Sequence, residues 1–202
     1  MLNCSFDKKE KTKPNEKISN RRATECLELS LKYEYRRAFS EVNLLNSVGL
    51  KFKENHSYNF ITSGDVDALS YLKLILNHQN LDYCLISTWV INAEDILQIE
   101  KWLESGKILK MDLYLGEIFP KSYKVEFLMI KKLFKKYECG RYAVFKNHSK
   151  IFAGYGDKFH FGIQTSANIN TNPRTENGCI TINKSIFEFY KNYFDDIKSF
   201  EK

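Results

Sequence analysis

His148 and Lys150 stand two positions apart in a stretch, residues 147–177, whose polar side chains recur at spacings that chemistry would need. Read as an extended strand, the pair projects from one face with Ser149 turned away, because successive side chains of a strand alternate. An apolar and aromatic run follows from Ile151 to Tyr155, Gly156-Asp157-Lys158 supplies a turn, and Phe159 to Thr165 runs back. A three-residue loop centred on Asp157 would bring position 166 opposite 148, placing Ser166 on the face of His148 and Lys150 with Asn168 just beyond. A two-residue loop would pair 148 with 165 and turn Ser166 away. An imidazole, an ammonium, a hydroxyl and an amide on one face suit a nucleophile or general acid set among donors to a phosphate.

The order His148-x-Lys150, Ser166-x-Asn168, Glu176-Asn177 resembles the HKD motif of the phospholipase D superfamily. The superfamily includes nucleases, lipid phosphodiesterases and phosphatidyltransferases. The closer likeness is to single-motif, phospholipase D-like proteins of bacteria and their phages, through the run from Asn147 to Asn177 and through Ser87-Thr88-Trp89 upstream. It spans about Tyr58 to Asn183. Two positions depart from the motif: Tyr155 stands where an Asp follows the Lys by five, with Asp157 the nearest acid, and Thr165 replaces the usual Gly before the Ser.

The resemblance implies a phospholipase D-like α/β fold, a mixed β-sheet flanked by helices. It also implies a two-step phosphodiester cleavage that uses no metal or other cofactor. His148 would attack phosphorus, Lys150, Ser166 and Asn168 would hold the non-bridging oxygens, and Glu176 would accept a hydrogen bond from the other imidazole nitrogen. Arg174 and Thr88 are the implied substrate contacts. The remaining histidines, His56, His78 and His160, have no Lys two positions on. A second catalytic imidazole would then come from another subunit, so a homodimer is expected.

The elements that position these residues follow from periodicity. Residues 1–20, rich in Lys, Glu, Asn and Ser, read as a flexible basic tail, and residues 21–202 as one domain. Leu27, Leu31, Tyr35, Ala38 and Val42 suggest a helix over 21–46. A strand is expected over 57–62. A helix over about 66–77 would be capped by Ser63-Gly64-Asp65, and a doubly buried strand would occupy 81–91. Asn92 opens the next helix and Gly106 closes it. Residues 109–115 form a strand, and Pro120 starts a helix to about Tyr137 that Gly140 ends. A strand over 141–145 would lead straight into His148. A capping box at Ser185 opens a final helix with Phe189, Tyr190, Tyr193, Phe194, Ile197 and Phe200, a candidate dimer contact or an ordinary packing face on the sheet. Alternating strands and helices point to a layered α/β domain with a partly parallel sheet.

A net charge of +6 favours a polyanionic partner. Lys121, Lys124, Lys131, Lys132, Lys135 and Lys136 concentrate that charge on one helix, as a phosphate-tracking surface or a solvated face. Five cysteines without a C-x-x-C pair suggest reduced thiols in the cytoplasm and argue against a zinc site. No apolar run approaches a membrane span or a signal-peptide core. A nuclease is therefore the leading expectation. The alternatives are a silent nucleic-acid-binding module and a lipid phosphodiesterase.

Overall fold

A computed structural model describes residues 26–38, 41–46, 52–63, 66–169 and 174–201. The expected tail at 1–20, Gly64 and Asp65 of the expected cap, and Asn172-Pro173 of the motif run lie outside them. The strands are β1 (Lys32–Ala38), β2 (His56–Thr62), β3 (Tyr83–Thr88), β4 (Met111–Gly116), β5 (Tyr142–Phe145), β6 (Ile151–Tyr155), β7 (His160–Thr165) and β8 (Glu176–Ile182). They form one sheet in the order β1-β2-β8-β7-β6-β3-β4-β5. The outer pairs β1-β2, β3-β4 and β4-β5 are parallel, and the central joins are antiparallel.

The helices are α1 (Glu41–Asn46), α2 (Ala68–Leu76), α3 (Ala93–Glu104), α4 (Phe119–Ser122), α5 (Lys124–Tyr137) and α6 (Lys184–Asp195). One apolar cluster joins Leu44, the buried faces of α2, α3 and α5, and the sheet. The other joins Phe187, Tyr190 and Phe194 of α6 to Tyr83, Leu85, Tyr114, Ala143 and Ala153. β3 is buried along its whole length, as expected of a strand with layers on both faces.

Several expected elements form differently. Within the described part of the helix expected over 21–46, β1 and α1 form instead, because residues 32–38 pair in parallel with β2; residues 21–25 and 39–40 lie outside the described residues. Alternation in Lys-Tyr-Glu-Tyr is a strand pattern, and the sheet edge decides for it. The N-cap of α2 is Asp67, whose carboxylate accepts from Ser70 N. The helix expected from Pro120 to Tyr137 breaks at Tyr123, whose ψ of 57° leaves the helical region while its ring stacks on Phe119 at 5.2 Å. α5 ends on Glu138 in the left-handed conformation, φ 46°. Gly140 has another reason: a Cβ there would lie 2.2 Å from Met111 O on β4. The N-cap of α6 is Asn183, accepting from Ser185 N and Ile186 N, rather than Ser185.

The β6-β7 connection also differs. Tyr155 pairs with His160 and Ile151 with Gln164, which makes the loop four residues, 156–159. Gln79 holds it from outside: Oε1 accepts from Lys158 N and Phe159 N at 3.0 and 3.1 Å, and Nε2 donates to Phe159 O at 2.9 Å. A side chain from the link after α2 thus adds to the loop's own bond, Gly156 N to Phe159 O at 3.4 Å.

α6 is fastened at its C-terminal end by Arg141. The guanidinium donates to Phe194 O and Asp195 O, both at 2.7 Å, and to the Tyr114 hydroxyl at 2.9 Å. A cation there meets the unsatisfied carbonyls and the negative end of the helix dipole. Arg141→Ala should therefore lower the unfolding free energy by about 1.5–3 kcal/mol, the scale of hydrogen bonds from a charged donor. A urea midpoint unchanged from the parent would remove this role.

Candidate active site

The strand directions gather one set of ends at a single edge. β2, β3, β4, β5 and β7 finish there, while β6 and β8 begin there, since Ser87 pairs with Ile151, Ile151 with Gln164, Thr165 with Gly178 and Thr62 with Glu176. In open α/β sheets this carboxyl edge is where ligands bind. His148 and Lys150 lie at this edge, but in the irregular link between β5 and β6 rather than on a continuous strand. Strand alternation is thus not what brings them together.

Asn147, which sequence reasoning left unassigned, shapes that link. Its buried side-chain amide donates to Ser87 Oγ at 2.9 Å, Tyr114 O at 3.2 Å and Thr88 O at 3.3 Å. Its Oδ1 accepts from Ser149 N and Ser149 Oγ at 3.0 and 2.7 Å, and Ser149 Oγ also meets Ser87 Oγ at 2.7 Å. The ends of β3 and β4 are thereby bolted to the residues either side of His148. The only sequence signal was an amide directly before the motif histidine.

His148 is exposed, and its ring lies 5.0 Å from the indole of Trp89. Trp89 fits because position 116 is glycine: a Cβ there would be 2.3 Å from Trp89 Cδ1. Lys150 is 8% exposed, and its Nζ lies 3.0 Å from His148 Nδ1 and 2.9 Å from His148 O. Burial pulls the Lys150 pKa down, opposed by the charge of Glu176. An ammonium only donates, so with Lys150 protonated Nδ1 is the acceptor and Nε2 carries the proton. This is the tautomer of a donor.

Ser166 and Glu176 form the adjoining pair. Ser166 Oγ donates to Glu176 Oε2 and accepts from Asn177 N at 3.0 Å, and Ser166 N donates to Asn177 O at 3.1 Å. Glu176 is thus engaged by Ser166, not by the second imidazole nitrogen, which Lys150 occupies. Tyr71 lies beneath; burial first, then the Glu176 charge, push its phenol up to about 12, and its hydroxyl is buried with no hydrogen-bond partner.

The other expected residues are held in different ways. Asn168 sits where Ala68 N, at the start of α2, donates to its carbonyl at 3.2 Å, and its side-chain Oδ1 is buried with no hydrogen bond. Arg174 is exposed. Thr88 has no exposed surface and its hydroxyl donates to Val90 O at 2.7 Å, so it supports the edge and cannot touch a substrate. Tyr155, where the motif has Asp, stacks against His160 at 5.2 Å and packs on Phe187. Asp157 lies in the loop at the other end of β6, about 20 Å along the strand direction from Ile151, and lines a cleft with His78 and Lys158. It is a turn residue, not a displaced motif acid. Among the described residues, no three His, Cys, Asp or Glu side chains gather as a metal ion would require.

Among solved structures, the polyphosphate kinase of Porphyromonas gingivalis superposes with a TM-score of 0.52 at 12% identity, covering 79% of this chain. The phosphatidylserine synthase of Haemophilus influenzae Rd KW20 gives 0.47 at 13%, covering 68% of this chain and 37% of that one. This chain spans only 28% of the length of the polyphosphate kinase. The mixed eight-stranded sheet with flanking helices is a phospholipase D-like α/β fold. No family model matches the sequence, and no curated protein matches it.

Two predictions test how the site is held. Asn147→Ala strips partners from Ser87, Ser149 and two carbonyls, so it should cost about 2–4 kcal/mol of stability; a smaller loss by urea titration would demote it. Asp95, in the first turn of α3, has its carboxyl pushed up to about 7, chiefly by burial and then by Asp67. A folded-state pKa above the unfolded one favours folding below the unfolded value, and that gain fades as pH rises through about 7. Asp95→Asn should therefore raise the melting temperature relative to the parent at pH 8, with the difference shrinking towards pH 4. A pH-independent difference would contradict the assignment.

Proposed function

We propose that the chain is a metal-independent phosphodiesterase of the phospholipase D type, acting on nucleic acid in a reducing cytoplasm, with its active site completed by dimerisation. The observation that carries this is the pairing of a buried ammonium with an exposed imidazole at the ligand-binding edge of the sheet, Lys150 Nζ against His148 Nδ1 at 3.0 Å. The nearby Ser166–Glu176 pair supports it. Free thiols at Cys26, Cys84, Cys139 and Cys179 suit a reducing compartment. Among the described residues no helix is long and apolar enough to cross a membrane.

In the resting arrangement both donors are spent internally. A phosphodiester entering the site would draw Lys150 Nζ from Nδ1 and the Ser166 hydroxyl from Glu176, each to a non-bridging oxygen. Nδ1 and Glu176 are then free for one another. A proton on Nδ1 that Glu176 accepts leaves Nε2 unprotonated and nucleophilic. Nε2 attacks phosphorus, and the phosphorus–oxygen bond to the leaving alcohol breaks as that oxygen takes a proton from His148 of the partner subunit. Water, losing its proton to the same imidazole, then cleaves the phosphorus–nitrogen bond and releases a phosphomonoester. Asn168 and Arg174 hold oxygens of the reacting and flanking phosphates.

The test is turnover of an aryl phosphodiester with excess chelator. The parent should be active, His148→Ala should lose about a thousandfold or more in kcat, and Lys150→Ala about a hundredfold or more. Parental turnover by His148→Ala would remove the nucleophile. An inactive parent that still binds oligonucleotides would favour the silent binding module, a reading to which the engaged Glu176 and the Tyr155 substitution lend weight.

A further inference from the structure

The outer face of α5 carries charge that the fold does not use. Lys121, just before the helix, and Lys124, Lys132 and Lys135 on it are all exposed, and none forms an ion pair with a described residue. Lys131 and Lys136, by contrast, face Glu201 and Glu100. Glu126 is the one acid within the helix. The buried face, Phe127, Ile130, Leu133 and Phe134, is spent in the core, so the lysines are not needed to hold the helix down.

Position matters as much as charge. β4 ends at the site edge, and Glu117, in the link from β4 to α4, accepts from Asn147 N at 3.3 Å. Glu117 is thus tied to the residue before His148, and Lys121 and Lys124 follow it in the chain. From there α5 runs away for 14 residues, about 20 Å at the usual helical rise, carrying Lys132 and Lys135 with it.

We propose that this ridge is a track for the backbone of a polynucleotide, holding phosphates that flank the one presented to His148. The inference deepens the phosphodiesterase reading and rests on it for the identity of the reacting phosphate. A row of cations without ion pairs, on the helix that follows the Glu117 link to Asn147, matches a polymer with a charge on every unit. An anionic membrane fits less well. Interfacial helices bury a broad apolar face in lipid, whereas only Val125 and Leu128, at 67% and 58% exposed, break the outer surface of α5.

The experiment uses the full chain with Lys121, Lys124, Lys132 and Lys135 all replaced by Gln. A control replaces Lys184 and Lys198, which lie in or beyond α6, in the same way. Binding of a fluorescein-labelled single-stranded oligonucleotide is followed by anisotropy between 50 and 200 mM salt. Each phosphate contact contributes about 0.7 to the slope of log affinity on log salt for single strands. The four-site variant should therefore lose about 2–3 from the parental slope, while the control keeps it and aryl phosphodiester turnover stays unchanged. An unchanged slope, or an equal loss in the control, overturns the track. So does a variant that binds the oligonucleotide normally but no longer sediments with phosphatidylglycerol vesicles, which would assign the ridge to lipid. If the parent hydrolyses no phosphodiester yet the slope still falls, the ridge stands and the catalytic reading is what fails.

Discussion

The side-chain amide of Asn147 is the fastening on which the geometry of this edge depends. It is buried, and it joins the ends of β3 and β4 to the serine that follows His148. Irregular backbone is free to wander unless its polar groups find fixed partners, and here those partners belong to two of the most buried strands in the sheet. The consequence reaches outward. With residue 147 fixed, His148 meets Trp89, Trp89 meets the vacancy left by Gly116, and Lys150 is buried where its ammonium has few partners other than the imidazole.

Strain of an electrostatic kind collects under the same edge. Lys150 is desolvated, Asp95 is held at a raised pKa in the first turn of α3, and the Oδ1 of Asn168 is buried without a partner. Asn168 and Ile169 are also where the first turns of α2 and α3 attach, through Ala68 N to Asn168 O and Asn92 N to Ile169 O. Folded chains seldom leave buried polar groups in such states unless something else requires them. A phosphate would relieve the Lys150 ammonium, while the Asn168 oxygen, an acceptor, calls for a donor instead. In the proposed reaction the pairs Lys150–His148 and Ser166–Glu176 exchange partners.

Much of this was legible in the chain. The doubly apolar run around β3, the Asn92 cap of α3 and the alternation of strands with helices led directly to a layered α/β sheet, because each is a local signal. The motif residues could be named for the same reason. What escaped was set by distant parts of the fold. Lys32–Ala38 became a strand only because β2 offers an edge. β8 makes two of the four antiparallel joins, yet its sequence, broken by Gly178, shows motif residues rather than a strand pattern; that glycine is there because a Cβ would strike Tyr71 at 2.2 Å. The loop over 156–159 took a length that only Gln79 explains. Thr88 stands in the upstream Ser87-Thr88-Trp89 run that suggests a substrate contact, and only burial reveals that its hydroxyl serves Val90.

The account stands on His148 forming a bond to phosphorus, and that bond can be looked for directly. The chain would be mixed with an aryl phosphodiester and excess chelator, quenched within a turnover under alkaline conditions that preserve phosphohistidine, and its peptides mapped by mass spectrometry. A phosphoryl adduct on His148, absent when the quench is acidic, is the predicted result. Turnover without an adduct, or with the phosphoryl group on another residue, would contradict it.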